Sequence, residues 1–139
     1  MPTRCVQEPI RIVVADDLPT FRYAIRKLFE QSTAFEVVGE APDGNSAIEM
    51  ALRLVPQFII MDVKMPRLDG AEATRRIKRV LPNVHVVGLS SQDDPITRGG
   101  MMTAGCSAFV TKECAHTLPD VIAKLTGRQI TKDSFEGRV

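Results

Sequence analysis

The chain has 139 residues, of which 44% are hydrophobic and 25% are charged, and its formal net charge is +1. This length and composition predict one globular domain with a buried core, and the small net charge excludes a general electrostatic attraction to nucleic acid or to an anionic membrane. Three cysteines without a C-x-x-C motif, and no apolar run of signal-peptide or membrane-spanning length, predict a cytoplasmic protein without a zinc site or a membrane partner.

Short apolar runs rich in β-branched residues alternate along the chain with segments whose apolar residues recur at helical spacing. Runs this short, without polar alternation, are typical of parallel strands that are buried on both faces. In chain order the predicted strands are Ile12–Ala15, Phe35–Val38, Phe58–Met61, Val84–Leu89 and Ala108–Val110. One helix is predicted after each strand. The apolar faces of the first three helices are Phe21, Ala24, Ile25, Leu28 and Phe29; Ile48, Ala51, Leu52 and Val55; and Ala73, Ile77 and Val80. The fourth helix is predicted at Asp94–Ala104, and the apolar face of the fifth is Leu118, Val121, Ile122 and Leu125.

The fourth helix has the weakest pattern. Asp94-Pro95 is a good helix start, but the pair Gly99-Gly100 in its interior costs about 1 kcal/mol per glycine relative to alanine. The last helix has a candidate N-cap in Thr117 and a stop signal in Gly127.

Five strands alternating with five helices predict a doubly wound α/β fold. Its five-stranded parallel sheet would carry helices on both faces, with the flavodoxin-like strand order 2-1-3-4-5. We expect an N-terminal arm at residues 1–9, one domain at 10–126 and a polar linker or tail at 127–139.

Polar side chains follow four of the predicted strands. The acidic pair Asp16-Asp17 follows the first strand, Asp62 the third, Ser90 the fourth and Lys112 the fifth. Each alone has an ordinary interpretation as a cap, a turn residue or a solvated lysine. Ligands bind beyond the carboxyl ends of such strands, however, and three nearby carboxylates repel one another unless a cation is bound. Oxygen donors without His or Cys favour Mg²⁺.

The same residues match the requirements of phosphoryl transfer, which needs positioning and charge neutralisation. Asp62 can be the nucleophile and form an acyl phosphate. Lys112 can pair with one phosphoryl oxygen, and the Ser90 hydroxyl can donate to another.

Four stretches of the chain are motifs: Val-Val-Ala-Asp16-Asp17, Ile-Ile-Met-Asp62-Val-Lys-Met-Pro66-x-x-x-Gly70, Leu89-Ser90 and Phe109-Val-Thr-Lys112. Together they resemble the receiver domains of two-component response regulators over about Ile10 to Leu125. Pro19 after the acidic pair, and Glu113 after the lysine, look most like the NarL/FixJ subfamily.

The resemblance implies a role for each site residue. Asp17 would be a direct Mg²⁺ ligand, Asp16 would act mainly through metal-bound water, and the Lys64 backbone carbonyl would complete the protein ligands beside the acceptor carboxylate. Ser90 would be the switch hydroxyl. Phe109 would be the switch aromatic, and it can also be a core residue of its strand.

The resemblance also implies a signalling phosphoacceptor that is not a metabolic enzyme. Asp62 would receive the phosphoryl group from a histidine kinase, with intrinsic self-phosphorylation and autodephosphorylation. Phosphorylation can drive homodimerisation, and DNA would be contacted only through an output domain outside this sequence. The alternatives are a stand-alone receiver that acts through protein contacts, a pseudo-receiver that is never phosphorylated, and a nucleotide- or flavin-binding domain, which would want a glycine-rich loop after strand one. An Asp-nucleophile phosphatase would need a second Asp where Lys64 stands.

Three other residues attract attention but are predicted to be structural. His85 lies within a predicted strand, which favours a structural role over phosphoryl acceptance. Cys106 and Cys114 flank the fifth strand and are expected to be buried and inert.

Overall fold

The apolar runs form five strands in the computed structural model, which describes residues 8–127. The strands are β1 (Ile10–Ala15), β2 (Phe35–Ala41), β3 (Phe58–Asp62), β4 (His85–Ser90) and β5 (Ala108–Thr111). They make one sheet in the order β2-β1-β3-β4-β5, and every neighbouring pair is parallel. The predicted fold class and strand order are therefore confirmed. The predicted arm and tail lie outside the described residues, apart from residues 8, 9 and 127.

Five helices connect and follow the strands: α1 (Pro19–Glu30), α2 (Gly44–Leu54), α3 (Gly70–Val80), α4 (Pro95–Ala104) and α5 (Leu118–Thr126), with a 3-10 helix at Lys112–Thr117 before the last. One buried cluster joins the sheet to α2, α3 and α4, and a second joins its other face to α1 and α5. The helices thus cover both faces, as predicted. Across residues 8–127, no helix has the length and apolar character that a bilayer span requires.

The central strand β3 shows why the sequence lacks polar alternation. All five of its residues are buried. Ile59 and Met61 belong to the cluster on one face, whereas Phe58 and Ile60 belong to the cluster on the other. Successive side chains point to opposite faces of a strand, so a strand covered on both sides is apolar throughout.

The predicted apolar stripes are partly wrong at their ends. Leu52 and Val55 are about half exposed, and Val80 is 61% exposed. These residues lie in the last turn or at the cap of α2 and α3, outside the two buried clusters. Leu54 and Leu81 pack against the core there instead.

The caps of the last two helices differ from each other. The Asp94 carboxylate accepts the Thr97 N–H at 2.8 Å at the start of α4, as the Asp-Pro pair predicts. Gly127 ends α5 with a φ of 70°, also as predicted. Thr117 is not a side-chain cap, because the 3-10 helix runs directly into α5 and leaves this residue in a helical conformation. Its hydroxyl instead donates to the Cys114 carbonyl at 2.6 Å.

Candidate functional site

The carboxyl ends of the strands bring the predicted acidic residues together. One carboxylate oxygen from each of Asp16, Asp17 and Asp62 lies within 4.8 Å of the others. The Lys112 ammonium lies 2.9 Å from Asp16 Oδ2 and 3.5 Å from Asp62 Oδ2. Three acids and one cation therefore form a single cluster at the end of the sheet, which is where ligands bind in folds of this kind.

Asp62 ends the middle strand of the sheet and is only 3% exposed. Its pKa is raised from 3.8 to about 6, first because burial disfavours the ionised form and second because the charge of Asp16 lies nearby, with a smaller contribution from Asp17. The Lys112 ammonium opposes this rise. At neutral pH the Asp62 carboxylate is still ionised, and it is held in an unfavourable electrostatic environment.

The two members of the acidic pair have different surroundings. Asp16 is fully buried, and its Oδ1 accepts the Leu18 N–H at 2.8 Å. Its Oδ2 is buried without a well-directed hydrogen bond, and the ion pair with Lys112 is its close electrostatic contact. Asp17 is exposed. The Asp16 carboxylate is thus held by a backbone hydrogen bond, while the Asp17 carboxylate is open to solvent.

Lys112 is the cation of the site and is 18% exposed at its side chain. Burial is the largest influence on its pKa and lowers it, but the close contact with the Asp16 carboxylate, the charges of Asp62 and Asp16 and the hydrogen bond to Asp62 together raise the pKa above its ordinary value. The ammonium also lies over the Phe21 ring, 4.6 Å from the centroid. Lys112 is therefore charged at neutral pH and held over the carboxylates.

A hydroxyl and a second lysine lie at the edge of the site. Ser90 is buried, and its Oγ accepts the Gln92 N–H at 3.1 Å, so its own proton is available to another acceptor. The Lys64 ammonium, two residues after Asp62, donates to Gln92 Oε1 at 3.3 Å. This side-chain contact links the loops that follow β3 and β4. The role of the Lys64 backbone carbonyl as a ligand stays a prediction.

Gly70 fixes the loop after β3. Its N–H donates to the Val63 carbonyl at 2.9 Å. A Cβ atom at this position would lie 2.1 Å from the Asp62 carbonyl oxygen, which is far inside contact distance. Only glycine lets the start of α3 approach the end of β3 so closely. The sequence showed Gly70 as part of a motif, but it gave no sign of this contact.

Phe109 is buried in β5 beneath an arginine from α4. The Arg98 guanidinium lies 4.7 Å from the ring centroid and donates to Asp93 Oδ1 at 2.9 Å. The sequence identified Phe109 and missed Arg98 and Asp93, because nothing in the order of residues shows which side chain covers a ring on another element.

The three residues predicted to be structural are not part of the carboxylate cluster. His85 begins β4, at the opposite end of that strand from Ser90; its ring stacks on Phe58 with centroids 5.0 Å apart, and its Nδ1 lies 2.9 Å from Ser107 Oγ. Cys106 is buried, and burial raises the pKa of its thiol. The expectation of burial is wrong for Cys114, because the 3-10 helix that carries it has no buried residue.

The donor set fits a small divalent cation. The three groups that could ligate an ion are all carboxylates, which Mg²⁺ prefers, and Asp16 Oδ2 is buried without a hydrogen-bond partner among the described residues. Asp17 adds a solvent-accessible oxygen, which suits an ion that keeps several waters.

Comparison with known proteins matches residues 12–124 to the response regulator receiver domain family. A protein-glutamate methylesterase/protein-glutamine glutaminase of Myxococcus xanthus is 42% identical over 114 residues, 81% of this chain and 32% of that protein. The transcriptional regulatory protein DegU of Brevibacillus brevis is 35% identical over 107 residues, 77% of this chain and 45% of that protein. The chain thus spans less than half the length of either relative. Among solved structures, the signal receiver domain of NarL from Mycobacterium tuberculosis superposes with a TM-score of 0.81 at 30% identity, covering 88% of this chain and 100% of that one.

Proposed function

Because this chain belongs to the response regulator receiver domain family, and within it resembles the NarL/FixJ type, we propose that Asp62 accepts a phosphoryl group from a histidine kinase. The observation that carries the proposal is the position of this carboxylate. It is buried at the end of the central strand, within 4.8 Å of two further acids and 3.5 Å from a lysine. That arrangement is costly for a resting protein, and a phosphoryl acceptor needs it.

The proposed step forms one bond and breaks another. An Asp62 oxygen donates an electron pair to phosphorus as the bond from phosphorus to the donor's imidazole nitrogen breaks, and the imidazole leaves with that pair. Asp62 is ionised for this at neutral pH, because its pKa is about 6. Lys112 pairs with a phosphoryl oxygen and offsets its charge. Return of the group to water, with the same residues in place, is the autodephosphorylation that the sequence predicts.

Asp16, Asp17, Asp62 and the Lys64 backbone carbonyl are the residues that we propose hold Mg²⁺. When bound, the ion supplies positive charge to the phosphoryl oxygens and to the acceptor. The support within the chain is the set of carboxylate oxygens. Asp16, fixed by its hydrogen bond to the Leu18 N–H, would act through a water of the ion, and the exposed Asp17 would bind directly.

We propose that Ser90 and Phe109 are the residues that transmit the effect of phosphorylation from the site to the rest of the domain. The Ser90 hydroxyl can turn its proton toward a phosphoryl oxygen while its oxygen is still an acceptor for Gln92. Ser90 and Thr111 are paired neighbours on β4 and β5, so a displacement at the end of β4 reaches the strand that carries Phe109. The Arg98 guanidinium lies over the Phe109 ring, so a movement of this ring would also affect α4, which carries Arg98.

The output of the domain is a further proposal. The relatives include a methylesterase and transcriptional regulators, so one kind of receiver serves different effectors. We favour control of transcription through a DNA-binding domain, with homodimerisation on phosphorylation, because of the similarity to DegU and NarL. A stand-alone receiver is the alternative. Free thiols at Cys106 and Cys114 support a cytoplasmic setting.

A phosphomimetic titration tests this function. With Mg²⁺, beryllofluoride should bind the native chain and change amide hydrogen exchange near Ser90, Phe109 and α4 more than in α2. The Asp62→Asn variant should show no such change, since the mimic needs the carboxylate. Equal changes in both proteins, or none in the native chain, would contradict the proposal.

A further inference from the structure

An arginine of α1 is bound to the backbone of the acidic pair. The Arg22 guanidinium donates through Nη1 to the Asp16 carbonyl and through Nε to Glu40 Oε1, at 3.3 Å for the second bond. Its side chain is only 16% exposed. Glu40 lies near the end of β2, so the guanidinium connects α1, β2 and the turn that follows β1.

The bonded carbonyl belongs to the peptide group that joins Asp16 to Asp17. On the amino side of this group, the Asp16 N–H donates to the Ala41 carbonyl at 3.0 Å and the Asp16 carboxylate accepts the Leu18 N–H. The carbonyl lies beyond the last paired residue of β1 and before α1, so the backbone hydrogen bonding of these two elements does not supply its donor. Arg22 supplies it, and a charged donor makes the stronger kind of hydrogen bond.

A fixed peptide plane fixes the direction in which the next residue leaves the backbone. Asp16 is already held by burial and by its Leu18 contact, but Asp17 is exposed. The orientation of the peptide before Asp17 is therefore the restraint that Arg22 adds. Groups of this kind, which orient metal ligands from behind, often control metal affinity about 10- to 100-fold.

We propose that Arg22 is a positioning residue for the cation site, because its hydrogen bond to the Asp16 carbonyl aims the Asp17 carboxylate at the ion. This inference rests on the proposed Mg²⁺-dependent function and adds a residue to it. Glu40 holds the guanidinium in place through an ion pair, and its negative charge offsets the positive charge of Arg22 beside the site.

The chain offers a matched control in Arg26. This arginine also lies on α1 and donates to the same carboxylate, through Nη1 to Glu40 Oε2 at 3.1 Å. Its contacts are with Glu40, Glu30 and the Tyr23 ring, and none is with the acidic pair. Loss of either arginine weakens the link between α1 and β2, but only loss of Arg22 frees the Asp16 carbonyl.

The sign of the effect separates positioning from simple charge. Arg22→Gln removes a positive charge near the site, which by itself would tighten cation binding. Loss of the positioned ligand would instead weaken binding by about ten-fold. A residue that only joins α1 to the sheet would lower stability and leave Mg²⁺ affinity unchanged.

The experiment is a calorimetric Mg²⁺ titration of the full chain at constant ionic strength, with the native protein, Arg22→Gln, Arg22→Lys and Arg26→Gln. We expect Arg22→Gln to bind about ten-fold more weakly. Arg22→Lys should lose less, since an ammonium can donate to the same carbonyl, and Arg26→Gln should stay within about two-fold of native. The amide nitrogen resonance of Asp17, which shares the peptide group with the Asp16 carbonyl, should shift in Arg22→Gln and not in Arg26→Gln.

Each other result has a defined meaning. If the native chain binds Mg²⁺ and Arg22→Gln binds it equally well or more tightly, the positioning role is overturned and the proposed function is left intact. No Mg²⁺ binding by the native chain overturns the proposed function and this inference with it. If Arg22→Gln does not fold, Arg22→Met, which keeps the apolar stem and removes the donor, takes its place, and native Mg²⁺ affinity in that variant without a shift at the Asp17 amide overturns the role.

Discussion

Replacing Asp62 by asparagine should stabilise the metal-free domain at neutral pH, although it removes the proposed acceptor. The pKa of Asp62 is raised from 3.8 to about 6 by burial and by the charge of Asp16. A folded state with the higher pKa binds the proton more tightly than the unfolded chain does. The stabilisation that the folded state gains from the protonated Asp62 is therefore complete below about pH 3.8, and it is lost as the pH rises through about 6.

The size of this effect follows from the same values. One pKa unit corresponds to about 1.36 kcal/mol, so a rise from 3.8 to about 6 costs the native protein at most about 3 kcal/mol once Asp62 is ionised. Solvent at the mouth of the site screens part of this cost, and about 1 to 3 kcal/mol is a reasonable range. Asparagine has a similar shape and carries no charge, so it avoids the penalty.

Urea unfolding in excess chelator measures the difference. Asp62→Asn should be more stable than the native protein at about pH 8, and the gap should shrink toward about pH 3, where the native carboxyl is protonated in both the folded and the unfolded state. Asp120→Asn, an exposed carboxylate in the first turn of α5, is the control and should change stability little. A variant no more stable than the native chain at about pH 8 would refute the claim that an ionised Asp62 is under electrostatic strain.

Three further substitutions test the surroundings of the site. Gly70→Ala should lower the free energy of unfolding by about 1 to 3 kcal/mol, because its Cβ meets the Asp62 carbonyl; an unchanged urea midpoint would contradict this contact. Gly99→Ala should instead raise stability by about 0.5 to 1 kcal/mol and slow amide exchange in α4, since a Cβ there meets nothing within 4 Å; faster exchange would count against it. Arg98→Ala should shift the Phe109 ring resonances and weaken the domain by about 0.5 to 1 kcal/mol; unaltered ring signals would show that the guanidinium does not hold the ring.

Much of the fold could be predicted because local pattern and tertiary environment agree. Doubly covered strands must be apolar throughout, and β3 shows this in all five residues. Even α4 was predictable despite Gly99 and Gly100, since Asp94 caps it and Pro95 opens it. The two glycines do not serve close packing, because both face open space.

The candidate site was predictable for a different reason. Parallel strands place their carboxyl ends at one edge, so residues that follow separate strands must meet there. The supporting contacts were not predictable, because they depend on long side chains that reach across elements. Arg22 on the Asp16 carbonyl and Arg98 on the Phe109 ring are examples. No spacing rule connects such pairs, and three-dimensional packing alone selects them.

The most direct test of the central claim is the intact mass of the chain after incubation with acetyl phosphate and Mg²⁺. The native protein and Asp120→Asn should each gain the mass of one phosphoryl group, and excess chelator should prevent the gain. Asp62→Asn should gain nothing, because it lacks the buried carboxylate at the end of β3 that we propose as the acceptor. Modification of Asp62→Asn at the native rate, or of the native protein without Mg²⁺, would contradict the account.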